Sequence, residues 1–309
     1  MLHKLAIYAL LTALAGSMLF PFYWMLATSF KNRKDVFATE PRMIPGRSLI
    51  KHLTQDPEAR KWFFEVDLGH YPTLFARRQA RAFDADADQA SPGILLDGFG
   101  RFVLNNVFYA LSITIGQVVT SSLAAFAFAR LVFPGRDKLF LAYLGTMMLP
   151  ITVTMIPSYI LLRELRWLDT YQAVILPSMF SAYGTFMLRQ YFKTIPQEIE
   201  DAARIDGCHA FGVYWHIMLP LAKPALATLI IITFVSSWRS FMWPLIVCNS
   251  EDIFNLPLGL TMFRGLFEGG PDWPLLMAGS VVMTIPLVVV FVFGQRYFIE
   301  GIRLGAVKG

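Results

Sequence analysis

The sequence predicts an all-α integral membrane protein with about six transmembrane helices. Of its 309 residues, 55% are hydrophobic and 16% are charged, and the mean hydropathy is +0.50. So few charged residues would not cover the surface of a soluble protein of this size. The apolar residues also form runs of about 20, whereas the core of a large soluble enzyme, the alternative class, is divided among strands and shorter helices.

Six apolar segments have roughly the length that a helix needs to cross a bilayer, about 20 residues. They are residues 5–28, 102–129, 139–162, 172–191, 224–247 and 275–298. A signal peptide is the alternative for the first segment, because Lys4 precedes it. That segment exceeds the usual apolar core of about 7–15 residues and has no clear small-residue cleavage site. We therefore expect residues 1–28 to form a retained transmembrane helix.

Positive charges in the short loops predict the orientation of these helices, because cytoplasmic loops are enriched in Lys and Arg. With the N-terminus inside, the short outer loops contain only Arg163, Arg166 and Arg264. The cytoplasmic segments contain Lys4, Arg130, Arg136, Lys138, Lys193, Arg204, Lys223, Arg303 and Lys308. Both termini are therefore expected in the cytoplasm, the second as a tail over residues 299–309.

The long loop over residues 29–100 separates the first helix from a predicted five-helix core, residues 101–298. It carries charges of both signs, together with the acidic alternation at Asp84, Asp86 and Asp88. Its Pro and Gly content predicts a partly irregular extracytoplasmic subdomain and not a further span. A solvated surface insertion and a platform for a partner protein both fit this composition.

The loop over residues 194–220, between the fourth and fifth predicted helices, is polar but strongly patterned. Thr194 and Gln197 have the spacing of a capping box, so we expect a helix to begin here. Gly207 is typical of a left-handed helix C-cap. A second short helix should then follow and end at Pro220.

This loop is expected to lie against another protein. Ala202 and Ala203 are small and would allow a partner close to the backbone, as when a helix lies in a groove. Glu200 and Arg204 have the spacing of an i, i+4 ion pair. The alternative is a helix resting on the bilayer, but such helices normally carry a basic polar face, and this one is rich in acids. The apolar contacts would come from Ile199, Phe211 and Trp215.

The same loop resembles the EAA loop that marks the membrane subunits of binding-protein-dependent ABC importers, and we call residues 194–220 the EAA loop. The matching residues are Asp201-Ala202-Ala203, then Gly207, then Ile217-x-Leu219-Pro220. Asp201 stands where the family has Glu, which would shift the family's contact towards Glu200. The resemblance assigns contact with an ATPase to Glu198, Glu200, Asp201, Ala202, Ala203, Asp206, Gly207, Ile217, Leu219 and Pro220.

Further motifs resemble the maltose-type carbohydrate permeases over most of the chain outside the long loop. They are PFYWMLATSFK from Pro21, LAAFAFARLVFPGR from Leu123, MMLPITVTMIPSY from Met147, FMWPLIV from Phe241 and GAVKG from Gly305. The resemblance implies a bacterial inner-membrane heterodimer of two homologous permeases, with two ATPase subunits at the EAA loops and an extracytoplasmic solute-binding protein. It also implies that Val307, Lys308 and Gly309 contact the ATPase subunits; a frayed terminus is the alternative.

No chemistry of catalysis is apparent in the sequence. It lacks the phosphate-binding motif G-x-x-x-x-G-K-[ST], so ATP hydrolysis is expected on a partner chain. The five histidines do not cluster, so neither a metal nor a cofactor is predicted. Cys208 and Cys248 are expected on opposite sides of the membrane and therefore unpaired. Nucleic acid is not an expected partner, since no basic patch with interleaved aromatic residues occurs.

Arg239 is an unusual charge, roughly 22 Å into the fifth predicted helix at 1.5 Å per residue. Ionisable groups at such depth usually face a water-filled path or a charged partner. The resembled family reads W-N-[DE]-F where this chain has Trp238-Arg239-Ser240-Phe241. We expect Trp238, Arg239 and Ser240 to contribute to a substrate path. The alternative is that Arg239 reaches the outer lipid headgroups or pairs with the partner permease.

Together these features predict a permease subunit of an ATP-driven importer for a sugar or sugar-like solute, coupling ATPase motion to alternating access within membrane lipid. An ion-coupled secondary transporter is the alternative. It would need acidic residues at mid-membrane and paired broken helices, and acids occur only near the ends of the predicted spans. A membrane enzyme or receptor is a third class, for which no catalytic constellation is visible.

Overall fold

The computed structural model describes residues 2–31, 36, 71, 74, 98–262 and 273–306, with side chains of the last helix described to residue 295. Its regular structure within these residues is helical, without strands, which confirms the predicted all-α fold. The chain divides into two compact units, residues 1–102 with 256–286 and residues 103–255 with 287–309. Most of the predicted extracytoplasmic subdomain, and the tail contacts Val307, Lys308 and Gly309, lie outside the described residues.

The helices of the described residues follow one another along the chain with short connections. In order they are α1 (Leu2–Ser29), α2 (Phe99–Arg130), α3 (Arg136–Gly145), α4 (Ile151–Glu164), α5 (Tyr171–Ser178), α6 (Ala182–Thr194), α7 (Gln197–Ile205), α8 (Ala210–Val213), α9 (Leu219–Leu221), α10 (Lys223–Trp238), α11 (Met242–Val247), α12 (Leu256–Met262) and α13 (Trp273–Ala306). Short 3₁₀ turns cover Thr146–Met148 and Glu251–Ile253, and a π turn covers Tyr214–Met218.

Three helices, α1, α2 and α13, are long and apolar enough to cross a membrane by themselves. They correspond to the first, second and sixth predicted spans. The side chains of the most apolar stretch of α1 are exposed in this isolated chain. Such exposed apolar side chains are expected if α1 is surrounded by lipid or by another apolar surface.

The third, fourth and fifth predicted spans are each interrupted. The helical segment that begins with α3 meets α4 at an angle of 101°. Pro150 explains this break, because a proline disfavours helical geometry in the residue before it, and Leu149 is extended at φ −79° and ψ 123°. The fourth predicted span is α5 followed by α6, and the fifth is α10 followed by α11. The described residues contain three single helices long enough to span and two bent pairs, residues 136–164 and 210–238, which give up to five spans if each pair counts as one. Six therefore remains a prediction.

Side chains of α2 satisfy the carbonyl groups that the break between α5 and α6 leaves free. Gln117 Nε2 donates to Ser178 O at 2.9 Å, and Thr120 Oγ1 donates to Met179 O at 2.7 Å. Gly116 permits this close approach, because a Cβ there would lie 2.2 Å from Met179 Cε. A bilayer offers no water to such carbonyls, so a broken span is tolerated only where protein groups replace it.

The break between α10 and α11 is satisfied in the same way by two buried asparagines. Asn106 Nδ2 donates to Trp238 O at 3.2 Å, and Asn255 Nδ2 donates to Ser240 O at 2.6 Å. Burying an amide costs free energy unless it is hydrogen-bonded, and both Nδ2 groups are; Asn106 Oδ1 is buried without a partner among the described residues. Sequence periodicity did not predict these breaks, since the residues that stabilise them lie far away in the chain.

Candidate functional site

The first helix of the EAA loop, α7, begins after Pro196 and not at Thr194. Pro196 is its N-cap residue, with φ −56° and ψ 140°, and no side chain caps the helix. Thr194 instead ends α6, where its Oγ1 donates to Tyr191 O at 2.7 Å. The predicted capping box of Thr194 and Gln197 is therefore wrong, because the threonine hydroxyl is already bonded within the preceding helix.

Gly207 ends α7 in the predicted left-handed geometry, with φ +85°. Its N–H donates to Arg204 O at 3.0 Å, and the N–H of Cys208 donates to Ala203 O at 2.9 Å. These two bonds form a Schellman motif, which satisfies carbonyls at the end of a helix. Glycine is favoured here because other residues are strained at positive φ. The turn fixes the direction in which the chain enters α8.

The second helical part of the EAA loop continues past Pro220. It runs from α8 through the π turn into α9, and then meets α10 at an angle of 78°. It ends at Leu221, one residue beyond the predicted Pro220. In a regular α-helix the proline ring collides with the carbonyl four residues earlier, and the π turn directly before Pro220 changes that spacing.

The inner side of the EAA loop packs against the C-terminal parts of α2 and α6. Val213 and Met218 are completely buried. The ring of Tyr214 lies 5.4 Å from that of Phe126, and its hydroxyl is hydrogen-bonded to Ser122 Oγ at 2.8 Å. The shared core comprises Ala125, Phe126, Leu188, Phe192, Ile195, Ala203, Val213, Tyr214, Met218, Ala222, Ala225 and Leu229. The loop is therefore part of a packed cluster and not a loose connection.

The outer side of the EAA loop combines acidic and apolar residues, and we call it the docking face. Phe211 and Trp215 are 58% and 57% exposed, and their rings stack with centroids 6.3 Å apart. Ile205 is 86% exposed. The docking face consists of Glu198, Ile199, Asp201, Ala202, Ile205, Asp206, Gly207, Phe211 and Trp215, all exposed. An exposed apolar patch of this kind usually marks an interaction site.

Some residues predicted for partner contact face the interior instead. Glu200 and Ala203 are 4% and 7% exposed. The expected Ala202 and Ala203 surface is therefore presented by Ala202 alone. Ile217 and Leu219 are half-buried, whereas Pro220 is exposed. We expected a partner contact to shift from Asp201 to Glu200. The structure favours Asp201 instead, because Asp201 is exposed and Glu200 is buried.

Glu200 is held by two arginines, only one of which the sequence predicted. Arg204 Nη2 donates to Glu200 Oε1 at 2.7 Å, the expected i, i+4 pair. Arg130, the last residue of α2, places its Nε 3.6 Å from Glu200 Oε2. Arg130 Nη2 also donates to the carbonyl oxygens of Phe192 and Ile195. The motif around Arg130 was the available signal, but it does not identify a partner 70 positions away.

A third arginine, Arg189, connects α6 to α2 and α3. Its Nε donates to Phe128 O at 3.1 Å, and its guanidinium carbon lies 3.9 Å from the centre of the Phe140 ring. Its Nη2 lies 3.5 Å from Asp137 Oδ1. The hydrogen bond and charge of Arg136, and then the charge of Arg189, lower the pKa of the exposed Asp137 carboxyl. Arg189 thus joins the C-terminal part of α2 and the N-terminal part of α3 to α6.

The predicted substrate-path residues have different environments. Trp238 is 2% exposed and stacks on Phe234, so its ring belongs to the packing of this chain. Ser240 is half-buried, and Arg239 is exposed at the end of α10. No described residue accepts a hydrogen bond from the Arg239 guanidinium or pairs with it. Arg239 is therefore the predicted path residue whose side-chain charge is accessible.

The histidines and cysteines of the EAA loop region form no metal site. No group of three or more potential metal ligands occurs in the part of the chain that the structure describes. His216 Nδ1 lies 3.2 Å from Gly212 O, within its own helical segment. Cys208 and Cys248 are free cysteines, half-buried and buried respectively.

Residues 117–304, which include the whole EAA loop, match the family described as "Binding-protein-dependent transport system inner membrane component". One relative is the arabinooligosaccharides transport system permease protein AraQ of Halalkalibacterium halodurans, 42% identical over 205 residues, or 66% of this chain and 73% of the relative. Another is the sn-glycerol-3-phosphate transport system permease protein UgpE of Escherichia coli, 31% identical over 92% of this chain and 90% of the relative.

The fold is similar to that of one chain in a solved structure of a bacterial ABC transporter involved in the import of the acidic polysaccharide alginate. The TM-score is 0.76, and the alignment covers 96% of both chains at 21% sequence identity. At this identity the similarity concerns the fold alone.

Proposed function

Since the chain belongs to the family of binding-protein-dependent transport system inner membrane components, we propose that it pairs with a second, homologous permease subunit to form a solute path. The chain is a permease subunit of an ABC importer, and its relatives are transport subunits and not enzymes. Its family implies an ATPase, which hydrolyses the ATP, and a binding protein that delivers the solute.

The exposed acidic and apolar docking face is the observation that supports contact with an ATPase subunit. Phe211 and Trp215 supply large, rigid apolar surfaces of the kind that dominate binding energy. Glu198, Asp201 and Asp206 add exposed negative charge to the same loop, which favours a partner groove with basic residues. Within this proposal Glu200, Ala203, Ile217 and Leu219 support the docking face from inside, and Pro220 and Gly207 shape the chain around it.

In the proposed mechanism, closure of two ATPase subunits displaces the EAA loops of the two permeases. The loop is packed into the ends of α2 and α6 and continues into α10. A cluster packed this closely moves as a unit, because protein interiors deform little. Its displacement would rotate the attached helices and switch the path between inward-open and outward-open states, a rigid-body transition.

The proposed solute is a sugar or a sugar-like molecule, including phosphorylated ones. This rests on the names of the relatives, which concern arabinooligosaccharides and sn-glycerol-3-phosphate. Both solutes are rich in hydroxyl groups, and the second also carries a phosphate. The accessible charge of Arg239 is compatible with an anionic group on the solute.

Family members are inner-membrane components, and the apolar helices of this chain fit that location. We propose that both termini face the cytoplasm, on the same side as the EAA loop. Residues 307–309 would then be near the ATPase subunits, and α1 would contact membrane lipid. Labelling of cysteines introduced at residues 4 and 308 with a membrane-impermeant reagent tests this orientation, and labelling of intact cells would contradict it.

Co-purification with an ATPase and ATP-dependent uptake in vesicles test the proposal as a whole. We expect the tagged permease to retain an ATPase subunit and a second permease in detergent, and uptake to require both ATP and the binding protein. The ion-coupled alternative is not favoured by the relatives. Uptake driven by a proton gradient without any ATPase would refute our proposal.

Replacing both aromatic residues of the docking face should release the ATPase. For Phe211→Ala with Trp215→Ala we expect at least about 30-fold weaker binding, because truncating a buried aromatic anchor commonly costs about 2 kcal/mol or more. The measurement is the amount of ATPase that co-purifies at equal permease. Leu165→Ala, at an exposed apolar residue of a predicted outer loop, is the control and should retain the ATPase. Equal loss in both variants would contradict a specific docking face.

Removing the charge of Arg239 should weaken solute transport without affecting assembly. For Arg239→Ala we expect the apparent KM for uptake to rise about tenfold or more, because a hydrogen bond to a charged group contributes about 1.5–3 kcal/mol. The control is Arg163→Ala, since Arg163 is exposed and paired with the neighbouring Glu164. An unchanged KM and solute preference in Arg239→Ala would exclude Arg239 from the substrate path.

A further inference from the structure

Glu200 is a carboxylate of the EAA loop that does not reach the docking face. Its side chain is 5% exposed, and that of Arg130 is 9% exposed. A buried carboxylate is costly unless it is paired, and removing its partner is strongly destabilising. Glu200 therefore serves a contact inside this chain, and that contact joins α7 to the end of α2.

Arg130 connects three parts of the chain at one point. It belongs to α2, it donates to the backbone oxygens of Phe192 and Ile195 where α6 ends, and it pairs with Glu200 of α7. The covalent chain links the EAA loop only to α6 and α10. The pair of Arg130 and Glu200 adds a non-covalent link to α2, a helix that is not next to the EAA loop in the sequence.

The geometry of this pair leaves room for a tighter arrangement. The distance of 3.6 Å between Arg130 Nε and Glu200 Oε2 exceeds that of a hydrogen bond, and no described residue accepts from this buried Nε. A cleft of about 720 Å³ lies beside the pair and is lined by Arg130, Glu200, Arg204 and neighbouring residues. A small displacement of α7 towards α2 would bring Glu200 Oε2 within hydrogen-bond distance of this Nε.

Resting on the proposed function, we propose that Arg130 and Glu200 are positioning residues that transmit displacement of the EAA loop to α2. Pressure on the docking face brings Glu200 towards Arg130, and α2 then moves together with α6 and α10. Without this pair the ATPase still binds the docking face, but part of its motion is lost before it reaches the spans. Disrupting this pair should therefore reduce the coupling between ATP hydrolysis and transport while the ATPase still binds.

The test compares uptake per ATP hydrolysed in proteoliposomes containing the complete transporter with its binding protein. Glu200→Gln keeps the size of the side chain and removes its charge. We expect the ATPase to co-purify normally and to hydrolyse ATP, whereas solute uptake per ATP falls about tenfold, within the range of about 5- to 150-fold typical of coupling between sites. Glu200→Asp, which keeps the charge, should retain a larger share of uptake.

Two further variants separate coupling from folding. Arg130→Lys keeps the positive charge but loses the forked geometry, and it should lower uptake per ATP in the same way. It also replaces Glu200→Gln as the decisive variant if that chain does not accumulate. Glu164→Gln, at an exposed carboxylate paired with Arg163, is the control and should behave as wild type.

Wild-type uptake per ATP in both Glu200→Gln and Arg130→Lys would overturn the proposal, and so would loss of the ATPase from them, because Glu200 would then be part of the docking contact. Failure of the proposed function itself would appear differently. In that case the wild-type permease would retain no ATPase or would transport without ATP.

Discussion

Replacing Gly207 by proline is expected to abolish ATPase binding and uptake while the chain still inserts into the membrane. Gly207 has φ +85°, and proline is fixed near φ −65° and lacks the N–H that Gly207 donates to Arg204 O. The turn between α7 and α8 then fails to form, and the two parts of the docking face no longer share one surface. We expect at least about tenfold less ATPase to co-purify, equivalent to about 1.4 kcal/mol.

Two variants establish that backbone geometry causes this effect. Nothing lies within 4 Å of a Cβ built on Gly207, so Gly207→Ala adds strain of about 1–2 kcal/mol without a collision and should reduce binding less than proline does. Gly135→Pro is the matched control, because Gly135 also has positive φ, +79°, and also has open space, but lies outside the EAA loop. Equal loss of the ATPase in Gly135→Pro would show a general folding defect.

Replacing Arg189 by alanine is expected to produce a large loss of stability. The variant removes a hydrogen bond to Phe128 O and the contact of the guanidinium with the Phe140 ring. Together these should lower the free energy of unfolding by about 2–4 kcal/mol. The pair with Asp137 adds little, because that carboxylate is 72% exposed. We expect the Tm in detergent to fall by roughly 5–12 °C.

Arg163→Ala is the control for this substitution, since Arg163 is 60% exposed and its ion pair among the described residues is with the exposed Glu164. Its effect should stay within about 0.5 kcal/mol. Arg189→Lys should recover part of the loss, because it keeps a cation and a methylene stem but not the planar fork. A Tm of Arg189→Ala equal to that of Arg163→Ala would mean that the contacts of Arg189 contribute nothing measurable.

The cluster that the EAA loop shares with α2 and α6 suggests why the loop is both polar and rigid. A loop that transmits motion must not deform when its partner moves. The inner side of the EAA loop is buried against α2 and α6, which resists such deformation. At the edges of this core, Arg130 and Arg189 donate to backbone carbonyls, and Glu200 lies beside Arg130 and Arg204. Packing and ion pairs thus stabilise the same arrangement.

Local features of this chain were predictable because their causes are local. Apolar runs of about 20 residues predict helices in a membrane, and the described residues are helical throughout their regular parts. Gly207 was predicted as a left-handed C-cap, because only the residue itself and its two neighbouring turns determine that geometry. The pair of Glu200 and Arg204 was predictable for the same reason, since one helical turn separates them.

Features that depend on contacts between distant segments were not predictable. The capping box assigned to Thr194 failed because Tyr191 O was the better partner of its hydroxyl within α6. The breaks in the middle spans depend on Gln117, Thr120 and Asn106, which supply hydrogen bonds from α2. No pattern within the broken segments themselves contains that information.

Glu200 illustrates the difference between what the sequence determines and what the tertiary structure determines. The sequence alone determined that a helix, a glycine turn and a second helix would present acidic and small residues on the EAA loop. The tertiary structure alone decided which of those residues face outward, because the packing of α7 against α2 buries Glu200 beside Arg130 and leaves Asp201 exposed. Helical periodicity determines which side chains share one side of a helix, but only the packing of a neighbouring helix determines which side is buried.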